Sequence, residues 1–155
     1  MKKSDLFQNS FKRYNFQFKN VKKPAIIYFF DPLCLTCYGF APVLHKIRET
    51  FSDQFDFDLV AGGMVTGGRV GPVAQKADYL RKKITALENT TGVKFGEAYL
   101  TLLDQGEYIS DSTPPSLAFQ VLRALRPDLK FNLGHMIQEM HYEHGHDLNR
   151  MRPYF

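Results

Sequence analysis

Aromatic and polar residues alternate early in the chain, with Tyr14, Phe16 and Phe18 interleaved with Asn15, Gln17 and Lys19. A period of two predicts a half-buried strand. After Lys22-Lys23-Pro24 comes a continuous apolar run, Ala25 to Phe30, bounded by Asp31-Pro32. Such a run predicts a strand covered on both faces. From Leu35 the period lengthens: Phe40, Val43, Leu44, Ile47 and Phe51 recur at helical spacing, while Lys46, Arg48 and Glu49 take the other side. Phe55, Phe57 and Leu59 then alternate and run through Val60-Ala61 into Gly62-Gly63, a further strand.

Beyond a loop carrying Gly62, Gly63, Gly67, Gly68 and Gly71, the pattern is helical to the end. One helix is predicted to open at Pro72, run through Leu87 and stop at Asn89-Thr-Thr-Gly92. A short one spans about Ala98–Leu103 and ends near Gly106. Asp111-Ser112-Thr113-Pro114-Pro115 predicts a helix start, with Thr113 as N-cap and Pro114 in the first turn. That helix carries Leu117, Val121, Leu122 and Leu125 and stops at Arg126-Pro127. The last runs from Phe131 to His144, closed by Gly145.

Strand, helix, strand with short joints begins a parallel α/β unit. The 155 residues suit one domain with an insertion, and 44 % hydrophobic residues supply a core. No run approaches the ~18 apolar residues of a membrane helix. Residues 1–23 hold seven Lys or Arg against Asp5, a net +6, and the rest of the chain sums to −2. The basic balance therefore belongs to an N-terminal arm, read as a solvated tail in preference to a nucleic-acid contact. No apolar segment or cleavage site follows Met1-Lys2-Lys3, so a cytoplasmic protein is expected ahead of an organelle-targeted one.

The chain has two cysteines, three positions apart, in Cys34-Leu35-Thr36-Cys37. They are too close to brace a loop, so they read as metal ligands or a redox pair. Their position favours the second. Cys34 falls where a strand gives way to a helix, where free amides and the helix dipole favour an anion. A dipole effect of up to about 2 kcal/mol brings a thiol from about 8.5 to about 7. Cys34 would then attack a disulfide, and Cys37, one turn on, would resolve the mixed disulfide. Pro42 inside the helical pattern removes a backbone bond, so packing must compensate.

The segment from Tyr28 through Asp31-Pro32 and the dithiol to Tyr38 and Pro42-Val43 resembles the active-site segment of cytoplasmic DsbA-like proteins of the thioredoxin superfamily. Weaker similarity runs through Gly62-Gly63-Met64, Asp111 to Ala118 and Tyr142 to Asn149. The resemblance implies a thioredoxin-like α/β sheet with an α-helical insertion, and disulfide oxidation, reduction or isomerisation through Cys34 and Cys37. Asp31, Pro32, Tyr38 and Pro42 are supporting residues. The implied partners are protein or small-molecule thiols and disulfides, with no cofactor beyond an external thiol couple and no metal. The alternative is a non-catalytic DsbA-like adaptor or redox-sensing binding protein. A glutathione-dependent isomerase and transferase branch shares the inserted fold but typically lacks the paired cysteines.

The sequence departs from the pattern in two places. Thr36 stands where many relatives have an aromatic residue, so redox poise does not carry over. Nothing after Gly62 reads as the later strands or the cis-proline loop, and neither Pro114 nor Pro115 is taken for that proline. The expected division is a basic arm with a first strand (1–23), a partial thioredoxin-like sheet with the dithiol (24–63) and a helical insertion (64–155). A chain cut short at its C-terminus, with an open strand edge that invites a second copy or partner chain, is the corresponding expectation.

Other groups weigh less. His141, His144 and His146 match no zinc spacing and read as solvated or capping residues. His45 reads as a surface or boundary residue. The Gly62–Gly71 loop lacks a phosphate-binding pattern and reads as a flexible joint. Asp31 is a candidate proton acceptor for Cys37, against simple turn chemistry, and Tyr38 a candidate substrate contact, against a rim aromatic.

Overall fold

The computed structural model describes residues 23–150. The strand expected over Tyr14–Phe18, the basic arm up to residue 22, and Arg152–Phe155 lie outside the described residues.

Strand β1 (Ala25–Phe30) and strand β2 (Asp56–Ala61) pair in parallel, with Tyr28 beside Leu59 and Phe30 beside Ala61. Helix α1 (Leu35–Phe51) makes the crossover between them. One face of the pair presents Tyr28, Phe30 and Leu59 to a core that includes Leu44 of α1. The expectation that β1 is covered on both faces does not hold among the described residues: Phe29 is 58 % exposed. Its alternation with Tyr28 and Phe30 turns it away from that core.

Helix α1 buries Leu35, Tyr38, Ala41 and Leu44, whereas Val43 and Phe51 of the expected stripe are exposed. Nor does β2 bury in strict alternation, because Asp58, Leu59 and Val60 are all buried. Asp58 is tolerated there because it is doubly paired. Arg123 Nη2 lies 2.9 Å from one carboxylate oxygen and Lys130 Nζ 2.7 Å from the other. Arg123 Nη1 also donates to the Leu59 carbonyl at 2.7 Å.

The Gly-rich loop is pinned, in contrast to the flexible joint expected. Ser112 N–H donates to the Val65 carbonyl at 2.8 Å, and Val65 N–H donates to Ser112 Oγ at 3.0 Å. Two short strands that the pattern did not reveal follow it: β3 (Gly71–Pro72) pairs antiparallel with β4 (Ile109–Ser110). Pro72 therefore ends a strand and caps a 3₁₀ turn ahead of the α-helix. A 3₁₀ turn at Val73–Lys76 leads into α2 (Ala77–Thr91), which closes on Gly92 at φ +76°. Helix α3 (Glu97–Gln105) ends on Gly106.

Helix α4 (Thr113–Leu125) starts one residue earlier than expected, with Ser112 and not Thr113 at the cap position. Pro114 and Pro115 have no N–H, and Asp111 Oδ1 accepts the Thr113 N–H at 2.8 Å. The Ser112 hydroxyl is thereby free for other bonds. Phe119 faces the core, while Leu117, Val121 and Leu125 face outward. Helix α5 (Lys130–Tyr142) ends two residues before the expected His144. Gly145 N–H donates back to His141 O at 3.0 Å and His146 N–H to Met140 O at 2.8 Å.

The buried residues form two clusters. One lies on the sheet face, with Phe30, Leu59 and Leu44 against Phe119 of α4 and Phe131 and Ile137 of α5. The other lies among the helices, with Leu35 and Tyr38 against Phe95, Tyr99, Leu103 and Tyr142. Helix α1 contributes to both, and its first turn sits where they meet.

Candidate functional site

The dithiol occupies that first turn. Cys34 is the N-cap of α1, in extended backbone at φ −94° and ψ 102°. Its Sγ accepts the Cys37 N–H at 3.2 Å, and Cys37 Sγ lies 2.6 Å from Cys34 Sγ. Its own N–H donates to the Asp31 carbonyl at 3.0 Å, which holds the turn closed. No acidic residue stands in the first turn of α1 to oppose a negative charge. Both cysteines are free and half-buried.

At this separation the two sulfurs titrate as a pair, and the monoanion is stabilised by the thiol that keeps its proton. The Cys34 hydrogen bond pulls Cys37 down to about 6, aided by the Asp31 backbone and the Tyr28 hydroxyl and opposed by burial. The same bond, reinforced by burial, pushes Cys34 well above the usual thiol range. The expectation of a lone lowered thiol at Cys34 thus becomes a proton shared between two sulfurs. Burial, then the bond to Cys37, pushes the Tyr28 phenol up, so it stays protonated and donates.

No known protein-family profile and no curated protein matches the chain. Solved structures do. The cytosolic disulfide reductase DsbM from Pseudomonas aeruginosa is 30% identical with a TM-score of 0.73, over 84% of this chain and 60% of that one. The form of DsbM with GSH gives 30% identity and a TM-score of 0.71, over 84% and 61%. A protein assigned as a protein disulfide isomerase, from Nitrosomonas europaea, gives 26% and 0.72, over 86% and 62%. The chain has a DsbA-like thioredoxin fold. It spans about 60% of the length of the DsbM chain.

In this DsbA-like fold Asp31 is a structural hub beside the dithiol. It is 3 % exposed, and its carboxylate accepts Leu33 N–H at 2.9 Å, Met64 N–H at 2.6 Å and Ser112 Oγ–H at 2.8 Å. Three donors leave it little capacity as a proton acceptor, and its charge raises both thiols. Pro32 is fully buried beside it. Tyr38 is no rim aromatic: it is 4 % exposed, within 5.3 Å of the Phe95 ring and 5.1 Å of the Tyr142 ring. Pro42 lies exposed within an unbroken α1.

His141 is not solvated as expected but 1 % exposed, and burial pushes it down to about 4. Neutral at pH 7, it donates Nδ1–H to the His146 carbonyl at 2.8 Å. His144 and His146 are exposed, and His45 sits at the boundary. Among the described residues no group of three or more His, Cys, Asp or Glu could hold a metal ion. No helix there is long and apolar enough to cross a membrane.

Tyr28, Ser112, Gln138 and His135 were not singled out from the sequence. Ser112 and Gln138 hold Asp31, the latter by a 3.0 Å bond from Nε2 to the Asp31 carbonyl. Tyr28 reaches Cys37 because it shares the inward face of β1 with Phe30, a face the unbroken apolar run does not mark in the sequence. A cavity of about 240 Å³ adjoins the loop before Cys34, lined by Leu33, Met64, Tyr108, Tyr142 and the cations Arg69 and Lys76.

Proposed function

We propose that the chain is a cytoplasmic thiol–disulfide oxidoreductase that acts through Cys34 and Cys37. The observation that carries this is the pair of sulfurs 2.6 Å apart at the head of α1, with the Cys37 amide directed at Cys34. The proton shared by the pair moves from Cys34 to Cys37, and the Cys34 thiolate attacks a substrate disulfide and forms a mixed disulfide. Cys37 then attacks Cys34 Sγ, forming the Cys34–Cys37 disulfide and releasing the second substrate thiolate. An external thiol couple reduces the pair again, and a reducing cytosol favours the dithiol at rest. Disulfide reductase and isomerase neighbours support this chemistry. The substrate class is a protein or small-molecule disulfide. The cationic wall of the 240 Å³ cavity suits a small thiol that carries carboxylates, of which glutathione, present with the DsbM neighbour, is an example.

The test is trapping. Cys37→Ser incubated with glutathione disulfide should accumulate a mixed disulfide at Cys34, read by intact and peptide mass. Cys34→Ser should not turn over. Absence of an adduct on Cys37→Ser, with the native dithiol unreactive toward the same disulfide, would falsify the proposal.

A further inference from the structure

A small cavity of about 20 Å³ lies behind the dithiol, and both Tyr28 and Cys37 line it. His45 of α1 and His135 and Gln138 of α5 line it as well. Its size suits a single water, and polar groups on several sides give that water partners. His135 has two different ends. Nε2 lies 3.3 Å from Glu139 Oε1, whereas Nδ1 is buried with no hydrogen-bond partner. In the tautomer that carries its proton on Nε2, toward Glu139, the imidazole presents Nδ1 as a bare acceptor. Its side chain is 27% exposed, so the Glu139 end communicates with solvent.

We propose that His135 takes the proton of Cys37 through one water in this cavity when Cys37 resolves the mixed disulfide. The inference rests on the oxidoreductase reading and deepens it. In the resting pair the Cys34 thiol is the largest support of a Cys37 thiolate. Once Cys34 is bonded to substrate it has no proton to donate, and that support is gone. Cys37, still buried, then carries its proton without that support, and its attack needs a base. Asp31 is occupied by three donors, and Tyr28 is a donor held protonated. His135 has the free acceptor.

The step balances. The Cys37 proton passes to the water, and a water proton passes to Nδ1. Cys37 Sγ bonds to Cys34 Sγ, the bond from Cys34 Sγ to the substrate sulfur breaks, and that sulfur leaves with the electron pair. The substrate disulfide is the two-electron oxidant of the dithiol.

Charged and titratable groups face the imidazole from each packed element. From α1 come the stacked Tyr38 ring at 5.9 Å, the His45 ring at 5.6 Å and, beyond it, Arg48, which lies over Phe131. From α5 comes Glu139, and from β1 Tyr28 across the cavity. Burial lowers the pKa of His45 from its ordinary value, and Arg48 lowers it further. Gly134 lets α5 approach: a Cβ there would lie 2.7 Å from Leu59 Cδ2 and 3.2 Å from the Phe30 ring.

The probe is the aromatic disulfide dithiobis-nitrobenzoate, added stoichiometrically to the reduced full chain. The native protein should release one equivalent of coloured thiolate in a bimolecular phase and a second in a phase independent of reagent concentration. In His135→Gln the first phase should be unchanged. The second should slow by about 100-fold near pH 7, the low end for general-base assistance, and the deficit should close at alkaline pH, where hydroxide deprotonates Cys37. A second phase in His135→Gln equal to the native one overturns the relay and leaves the oxidoreductase reading standing. So does a slowing in His45→Gln without one in His135→Gln. A native protein with no unimolecular second phase sinks the parent reading and the relay with it. Should His135→Gln fail to fold, the imidazole nitrogen NMR signals of the reduced native chain decide: a proton on Nε2 of His135 supports the relay, and a proton on Nδ1 overturns it.

Discussion

Replacing Asp31 by Asn separates its structural from its catalytic reading. The asparagine keeps one oxygen, able to accept the Leu33 N–H and Ser112 hydroxyl now held at 2.9 and 2.8 Å. Its NH₂ then faces the Met64 N–H, which now donates at 2.6 Å. An amide left without an acceptor beside a 3 % exposed residue costs about 1–3 kcal/mol, and exchanging charged for neutral acceptors weakens the other two bonds. The expected loss is about 2–4 kcal/mol, a large share of the ~5–15 kcal/mol of a typical domain. Urea unfolding followed by far-ultraviolet circular dichroism measures it. The thiols should move the other way. Asp31 raises both Cys34 and Cys37 by its charge, so its removal should lower the midpoint of thiolate absorbance against pH. Resolution of the mixed disulfide should then be no slower than in the native chain. Unchanged stability, within about 0.5 kcal/mol, would refute the hub. A slowed resolving step with a lowered thiol midpoint would restore Asp31 as the proton acceptor.

Asp58→Ala leaves Arg123 and Lys130 facing β2 without their carboxylate and should cost about 3–5 kcal/mol in urea unfolding, little relieved by added salt. Gly96→Ala places a Cβ onto the Glu143 carbonyl, where α3 meets the end of α5, and should destabilise by about 1–3 kcal/mol or more, read as a lowered thermal midpoint. His141 is depressed from 6.5 to about 4 in the folded state, so below pH 6.5 the unfolded chain binds the extra proton. Stability should therefore fall as pH drops from 6.5 toward 4, by up to about 3 kcal/mol. His141→Gln should remove that part of the slope in denaturation measured across the window.

Much of the site was legible along the chain because it is local. A strand that ends in Asp31-Pro32 and a helix that opens at Cys34 place the sulfurs at a helix start whatever surrounds them. Dihedral preference, a missing proline N–H and the three-residue spacing act within one turn. Helix ends at Gly92, Gly106 and Gly145 were readable for the same reason, since a positive φ selects glycine. Faces were less legible. Apolar spacing picked out Leu117, Val121, Leu122 and Leu125 on α4, but the core took Phe119 with only Leu122 of that set, because an isolated helix does not specify which of its apolar sides meets the sheet.

Only the tertiary structure decided the partners of Asp31 and Cys37. Ser112 and Gln138 reach Asp31 across 81 and 107 positions, and His135 enters the cavity behind Cys37 from the last helix. Contacts over such separations leave no period or spacing in the sequence, because many chain paths satisfy the same local preferences. Close packing of α5 on the sheet through Gly134 selects one of them. The chemistry of the two sulfurs was therefore written locally, and the environment that divides one proton between them was set by the fold.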